Sequence, residues 1–209
     1  MMRANRLFPL LTDSIFIVLA LYFVVTYTRS LWMPLQQQTL LFLVRQTFFL
    51  LVQLMALALF LVRKRAVDFS SKIRDYVWTL LALGLPMLLR PVLGFGPAIV
   101  GVSLELIGIV LVLGAFVSLN RSFGIAPENR EIKTKGVYRI VRHPMYSGYL
   151  LTETGFVLSN ISLYNVLILA AAALFLVLRL MAEERFLKGD PTYLTYAHKT
   201  PWKLLPFVF

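Results

Sequence analysis

Residues 98–119 read AIVGVSLELIGIVLVLGAFVSL, an almost wholly apolar run. About 20 apolar residues cross the hydrocarbon core of a bilayer as an α-helix, so this run predicts a membrane span. Comparable runs lie before and after it, at residues 9–28, 39–62, 76–92, 146–159 and 163–180. The sequence therefore predicts an all-α fold, a polytopic transmembrane helical bundle of about five to six membrane helices.

The last two runs are shorter and are separated by the turn-rich segment SNISLYN, residues 159–165. This spacing predicts a C-terminal helical hairpin, whose first arm is short for a full crossing. We find no internal repeat, low-complexity tract or linker in the sequence. Residues 1–209 are therefore expected to form a single integral membrane domain.

Composition supports a membrane protein and excludes several kinds of site. The chain is 59% hydrophobic with a mean hydropathy of +0.77, whereas soluble domains are about 45–50% apolar. Its net charge of +11 falls in short loops, where it sets topology and attracts anionic membrane lipids, so no nucleic-acid partner is expected. Cysteine is absent, and His143 and His198 lie far apart in the sequence, so no metal site is expected.

Basic residues concentrate in alternate loops. Loops 63–74 and 121–142 and the C-terminal tail carry most of the lysines and arginines, while the other loops contain little beyond Arg29 and Arg90. By the positive-inside rule, both termini are expected on the cytoplasmic side. The N-terminal run lacks a small-residue cleavage site, so it is interpreted as a retained first span. Arg45, within the second run, is expected to snorkel towards the outer interface.

The stretch GVYRIVRHPMYSGYL, residues 136–150, introduces polar groups at the start of the fifth run. Pro144 suits the first turn of a helix, and basic and tyrosine side chains at a membrane surface can form a simple interfacial belt. The alternative is a binding site, because tyrosines and glycines combine aromatic surfaces with close backbone approach, and a helix N-terminus presents amide groups to an anion. The stretch by itself leaves both interpretations open.

A second polar group, RLMAEERFL at residues 179–187, ends the last run. Arg179 and Glu183 are four residues apart and so share a helix face, with Glu184 beside them. The pattern suits an exposed ion pair worth about 0.3–0.5 kcal/mol. It equally suits a functional site, because ionisable groups at membrane depth are costly to keep.

The segment SFGIAPENREIKTKGVYRIVRHPMYSGYLL, followed by RLMAEERFL, the tyrosine pair Tyr193 and Tyr196, and a final LLP, resembles the isoprenylcysteine carboxyl methyltransferase family in its short prokaryotic form. The resemblance covers residues 118–207. It implies an S-adenosylmethionine-dependent integral membrane methyltransferase of a bacterial inner membrane, with the cofactor bound from the cytoplasmic side. The acceptor is expected to be a lipophilic small molecule or peptide, prenylated in the family, that enters from the bilayer.

The same resemblance assigns the parts of the chain. Residues 1–95 are expected to be scaffold spans and residues 96–209 the methyltransferase core. Arg179 corresponds to a catalytic arginine near the acceptor. In the resting state, Glu183 is expected to pair with Arg179. The cofactor pocket falls on Arg130, Glu131, Ile132, Lys133, Tyr138, His143, Pro144, Met145, Tyr146 and Glu183.

A polar, zwitterionic cofactor explains why an apolar chain contains these groups, which are costly in lipid without a partner. His143 and the amides near Pro144 suit the carboxylate of S-adenosylmethionine, Glu183 its ammonium group, and the tyrosines its adenosine. Two other functions remain open. Membrane sterol reductases share a related C-terminal architecture and use NADPH, although no further basic cluster can be assigned to a 2′-phosphate. The other is a non-catalytic scaffold, and the intact Tyr138, His143 and Glu183 argue against it.

Overall fold

The computed structural model describes residues 7–31, 40–92 and 96–209, and these ranges are mainly helical. The helices in them are α1 (Leu7–Leu31), α2 (Leu40–Val62), α3 (Ile73–Gly84), α4 (Ala98–Leu119), α5 (Pro144–Ser159), α6 (Leu163–Leu187) and α7 (Pro191–Lys199). Short 3₁₀ turns occupy Leu85–Leu88, Asn120–Ser122 and Gly136–Arg139, and a short antiparallel ladder pairs β1 (Asp68–Phe69) with β2 (Glu128–Asn129). Each predicted apolar run contributes a helix, which confirms the all-α polytopic bundle.

Four helices in the described ranges are long and apolar enough to cross a membrane, so the chain is an integral membrane protein. They are α1, α2, α4 and α6, with candidate spans Leu10–Arg29, Phe42–Val62, Ala98–Ser122 and Leu163–Leu187. The other two predicted runs form shorter helices. Helix α3 has 12 residues and passes into a 3₁₀ turn that contains Pro86. Helix α5 has 16 residues, which is about 24 Å of helix against a hydrocarbon core of about 30 Å.

The predicted C-terminal hairpin is present as α5 and α6. Asn165, which is fully buried, closes the end of the bundle where the two helices are joined. Its Oδ1 accepts a hydrogen bond from the Arg90 amide at 3.1 Å, and its Nδ2 donates to the Asn160 carbonyl at 2.7 Å. The hairpin connection therefore satisfies buried backbone groups with an amide side chain.

Glycines hold α5 tightly against α4. A Cβ atom added to Gly108 would lie 2.6 Å from the Gly148 carbonyl oxygen, and one added to Gly148 would lie 2.8 Å from the Gly108 carbonyl oxygen. Small residues allow helix backbones to approach this closely within a membrane. The packing fixes α5, and with it the polar residues at its start.

The two basic loops lie side by side at one end of the bundle. The amide of Lys64 donates a hydrogen bond to the Arg121 carbonyl at 2.7 Å, and β1 of one loop pairs with β2 of the other. Asp13, near the start of α1, accepts a hydrogen bond from Arg63 at 2.5 Å. The loops that the charge pattern assigned to one membrane side therefore share one end, while their cytoplasmic location stays a prediction.

Arg45 faces the bundle interior instead of acting as the isolated snorkelling residue that the sequence suggested. Its Nε lies 2.7 Å from Oε2 of Glu105 on α4, whose side chain is fully buried. The guanidinium also lies 5.6 Å from the Phe156 ring centroid on α5. Sequence reasoning missed this partner because the pair depends on how α2 packs against α4.

Candidate cofactor site at the start of α5

The C-terminal tail fixes the start of α5. Pro144 occupies the first turn, where the missing amide proton costs nothing. The amides of Arg142 and His143 and the hydroxyl of Ser147 donate hydrogen bonds to carbonyl oxygens of residues 202–204, at 2.9, 2.9 and 2.6 Å. The tail therefore positions the side chains at the start of α5.

Glu184, on α6, is the centre of a buried hydrogen-bond group. Its Oε1 accepts a hydrogen bond from the Tyr193 hydroxyl at 2.5 Å and lies 2.8 Å from Nε2 of His143. Its Oε2 accepts from Nη1 of Arg142 at 2.9 Å. The residue is 3% exposed, so these bonds replace water. No local sequence pattern signals this role, because the partners of Glu184 lie on other elements.

Glu183 lies next to this group and is more open. Its Oε2 accepts a hydrogen bond from the Tyr146 hydroxyl at 2.6 Å and lies 4.0 Å from Nδ1 of His143. The side chain is 27% exposed, and within the described ranges its Oε1 has no hydrogen-bond partner. Glu183 therefore keeps an oxygen available to a ligand, whereas Glu184 uses both oxygens to hold the protein together.

Arg179 is buried one turn earlier on α6. Its Nη2 donates a hydrogen bond to the Ile125 carbonyl at 2.5 Å, and its guanidinium lies 4.8 Å from the Tyr146 ring centroid. Its Nε and Nη1 are buried and have no hydrogen-bond partner among the described residues. The expected resting ion pair with Glu183 is wrong for this structure, because Tyr146 contacts both residues through its ring and its hydroxyl.

Aromatic groups complete the arrangement. The rings of His143 and Tyr146 stack with centroids 5.4 Å apart and an interplanar angle of 5°. The Tyr196 hydroxyl donates to the Tyr138 carbonyl at 2.8 Å. Burial raises the pKa of the Tyr138 and Tyr196 phenols, so both remain neutral at physiological pH. After burial, the nearby Glu183 carboxylate is the next largest cause of the raised pKa of Tyr138.

Most of the assigned residues thus lie in one place, at the end of the bundle where α5 begins and α6 ends. We call Tyr138, His143, Tyr146, Arg179, Glu183 and Glu184 the polar cluster. Two further residues that the resemblance assigned, Pro144 and Met145, are buried in the first turn of α5 between His143 and Tyr146. Their role towards a cofactor stays a prediction.

The segment 130–133 has its contacts elsewhere. Arg130 hydrogen-bonds to the Glu128 carboxylate and to the Lys64 carbonyl, at the end of α2. Ile132 packs against the hydrophobic core. In the described part of the chain, these contacts do not join the segment to the polar cluster, so its place in a cofactor pocket also stays a prediction.

Glu131 is enclosed by two lysines. Lys133 donates to Glu131 Oε1 at 2.6 Å, and Lys64 pairs with Oε2. The hydrogen bond from Lys133, followed by that from Lys64, lowers the pKa of the Glu131 carboxyl to about 2. Glu131 is therefore ionised at physiological pH and already paired with cations.

A cavity of about 400 Å³ adjoins the polar cluster between α1, α2, α3, α4 and α5. Tyr149, three residues after Tyr146 on α5, lines it. The Tyr149 hydroxyl lies within electrostatic reach of Arg179, and Arg179 is not among the described residues that line the cavity. Tyr149 therefore lines the cavity and also lies in the electrostatic neighbourhood of Arg179.

Comparison with known proteins matches the part of the chain that carries this site. Residues 92–190 match the family model described as phospholipid methyltransferase. The matched segment is similar to the methyltransferases that this family model describes. It runs from just before α4 to the end of α6 and includes every residue that the resemblance assigned to the cofactor or the acceptor.

A curated relative agrees with this match. Protein-S-isoprenylcysteine O-methyltransferase B of Arabidopsis thaliana is 32% identical over 119 residues. The aligned part is 52% of this chain and 58% of the relative, so the chain spans little more than half of that protein. The two comparisons confirm the resemblance read from the motifs and do not favour the sterol reductase alternative.

Proposed function

We propose that the protein is an integral membrane methyltransferase that uses S-adenosylmethionine to methylate a lipophilic acceptor. The observation that carries the proposal is the open Glu183 carboxylate, which lies in the matched segment beside fixed aromatic and histidine side chains and next to a membrane cavity. A scaffold protein needs no partly exposed carboxylate of this kind at the membrane surface.

The donors and acceptors of the polar cluster fit the amino-acid end of S-adenosylmethionine. Nδ1 of His143 and Oε2 of Glu183 are 4.0 Å apart, a gap that an ammonium group can bridge with a hydrogen bond to each, because Oε2 has a second lone pair besides the one that accepts from Tyr146. This requires His143 to keep its proton on Nε2, the nitrogen that faces Glu184. The amide of Met145, in the first turn of α5, suits the carboxylate. Buried tyrosine rings suit the adenosine.

Bound there, S-adenosylmethionine would supply an electrophilic methyl group on its sulfonium sulfur. The protein's own residues would then act by positioning and by excluding water. Glu184 keeps His143 in one orientation, and Tyr146 keeps Glu183 in one orientation. Arg179, two of whose buried nitrogens have no partner among the described residues, would hold and orient an anionic part of the acceptor as it passes Tyr149.

The acceptor is proposed to enter from the bilayer, because the cavity is walled largely by apolar side chains. A prenylated or otherwise lipophilic small molecule or peptide fits this route. Membrane lipids surround the spans on both sides. The cofactor is proposed to arrive from the cytoplasm of a bacterial cell, with both termini on that side. Reporter fusions that place the 63–74 loop outside the inner membrane would overturn this topology.

The decisive experiment measures cofactor binding and methyl transfer separately. Protein in lipid nanodiscs is titrated with S-adenosylmethionine and with NADPH, and labelled S-adenosylmethionine is then supplied with a prenylcysteine analogue and with a lipid extract. We expect S-adenosylmethionine to bind and label to enter a lipid-soluble product. Binding of NADPH alone would establish the reductase alternative, and binding of neither would support a scaffold.

A further inference from the structure

The membrane cavity contains a carboxyl group that the proposed chemistry does not use. Glu153 lies on α5, seven residues after Tyr146 and four after Tyr149, and lines the cavity. At 1.5 Å per residue it stands about 10 Å along the helix from Tyr146. Within the described ranges it forms no hydrogen bond or ion pair, although the Tyr149 hydroxyl is within its electrostatic reach.

The arginine in the same cavity does not provide its counter-charge. Arg45 also lines the cavity, but its Nε lies 2.7 Å from Glu105, whose side chain is fully buried. These two charges cancel. Among the described residues that line the cavity, Glu153 is therefore the one acidic group without a basic partner. A carboxylate without a partner is costly inside a membrane.

The walls around Glu153 suit a cation with an apolar body. Aromatic rings line the cavity, including Tyr27, Phe49 and Phe156, and the rings of Tyr27 and Phe49 stack at 5.5 Å. Aromatic faces attract ammonium groups through their quadrupoles. The volume of about 400 Å³ is within the range of sites that bind small lipophilic molecules.

The geometry points to Glu153 as the group that binds a positively charged nitrogen of the acceptor. The acceptor would be a lipophilic ammonium compound whose apolar chain occupies the cavity and whose nitrogen pairs with the Glu153 carboxylate. Naming the ligand as the methyl acceptor rests on the proposed function, but the ammonium site itself does not. A neutral or purely anionic lipid would leave Glu153 unpaired, so the site selects against both.

The test uses three eight-carbon probes that differ only in the head group: octylammonium, octanol and octanoate. Each is titrated into the full-length protein in nanodiscs of neutral lipid, and binding is read from the shift in thermal unfolding temperature without S-adenosylmethionine. The variants are Glu153→Gln, which keeps the shape, and Glu153→Asp, which keeps the charge. Asp68→Asn, at an exposed position outside the membrane, controls for net charge.

We expect octylammonium to bind the wild-type protein about 10- to 150-fold more tightly than octanol, the range for a hydrogen bond to a charged group. Glu153→Gln should abolish that preference, while Glu153→Asp and Asp68→Asn should retain it. Equal binding of octylammonium and octanol, tightest binding of octanoate, or a preference that survives Glu153→Gln would each overturn the ammonium site.

Binding of S-adenosylmethionine is measured on the same samples, so the two proposals can fail separately. If Glu153 selects octylammonium but S-adenosylmethionine does not bind, the methyltransferase assignment fails and the ammonium site remains. If S-adenosylmethionine binds and the probes show no dependence on Glu153, the ammonium site fails and the methyltransferase assignment remains.

Discussion

The polar cluster and the membrane cavity differ in how their charged groups are paired. In the cluster, Glu184 engages three partners and Tyr146 contacts both Arg179 and Glu183. In the cavity, Glu153 has none within the described ranges. Burial of a charge is tolerated when partners replace water, so Glu184 is stable as it stands, whereas Glu153 favours a ligand that supplies the missing partner.

The same difference recurs between two adjacent residues of α6. Glu184 is 3% exposed, whereas the Glu183 side chain is 27% exposed. Consecutive positions on a helix point about 100° apart, so one carboxylate enters the core and the other faces the opening. A mutation at Glu184 should therefore act on stability, and one at Glu183 on ligand binding.

The largest effect is expected from Glu184→Ala. It would leave the partly buried Arg142, whose side chain is 9% exposed, without its carboxylate and remove the orientation of the buried His143, at a cost of about 3–5 kcal/mol in the free energy of unfolding. Thermal unfolding in nanodiscs measures this cost. Glu153→Gln is the matched comparison, because Glu153 has no partner to lose among the residues that the structure describes, and should stay within about 0.5 kcal/mol of wild type. Equal destabilisation by both variants would break the contrast between the two regions.

Glu183→Gln should weaken S-adenosylmethionine binding about 10- to 150-fold, which corresponds to about 1.5–3 kcal/mol for a charged hydrogen bond. The unfolding temperature should stay close to wild type, since Tyr146 can still donate to the amide oxygen. Isothermal titration measures the affinity, with Asp68→Asn as the control. Wild-type affinity in the folded variant would remove Glu183 from the cofactor site.

Arg179→Ala should lower kcat/KM for the acceptor by about 10-fold, or about 1.4 kcal/mol in transition-state stabilisation. We expect turnover to fall and the apparent KM for the acceptor to rise. The S-adenosylmethionine affinity should stay within a few-fold of wild type, because Arg179 does not contact the carboxylate assigned to the cofactor. Arg185→Ala, at an exposed position on the same helix, is the control. Loss of cofactor binding with an unchanged acceptor KM would exchange the roles of Arg179 and Glu183.

The fold was predictable from the sequence because membrane spans depend on local apolar content. The six runs, the hairpin at 159–165 and the single bundle need no knowledge of distant contacts. The ends of the spans were harder to predict. The run at 76–92 forms a helix only over Ile73–Gly84, since Pro86 lies in the following 3₁₀ turn.

The site was predictable where a motif carried it. The resemblance brought His143, Tyr146 and Glu183 to attention, and the structure places them together. It did not reveal Glu184 as the centre of a network, nor Glu153 as a cavity residue. Both roles depend on how separate helices pack, which a single sequence does not encode in any local pattern.

The smallest effect is expected outside the membrane, at Asp190, which caps α7. Its carboxylate accepts hydrogen bonds from Asn129 Nδ2 at 2.9 Å and from the Thr192 amide at 2.8 Å. These bonds lower the pKa of the Asp190 carboxyl, the one from Asn129 first. A lowered pKa gives stability that is present above the ordinary value of about 3.9 and is lost as the pH falls through the folded value. Asp190→Asn should therefore lower the unfolding temperature slightly at pH 7, and the difference from wild type should vanish under acid conditions. Thermal unfolding across pH measures this.

Asn129→Ala should reduce the same pH-dependent difference, and the double variant should lose less than the sum of the single losses because the residues share one bond. A difference that is constant with pH would show that Asp190 acts as a cap without its charge, and that Asn129 does not stabilise the ionised form.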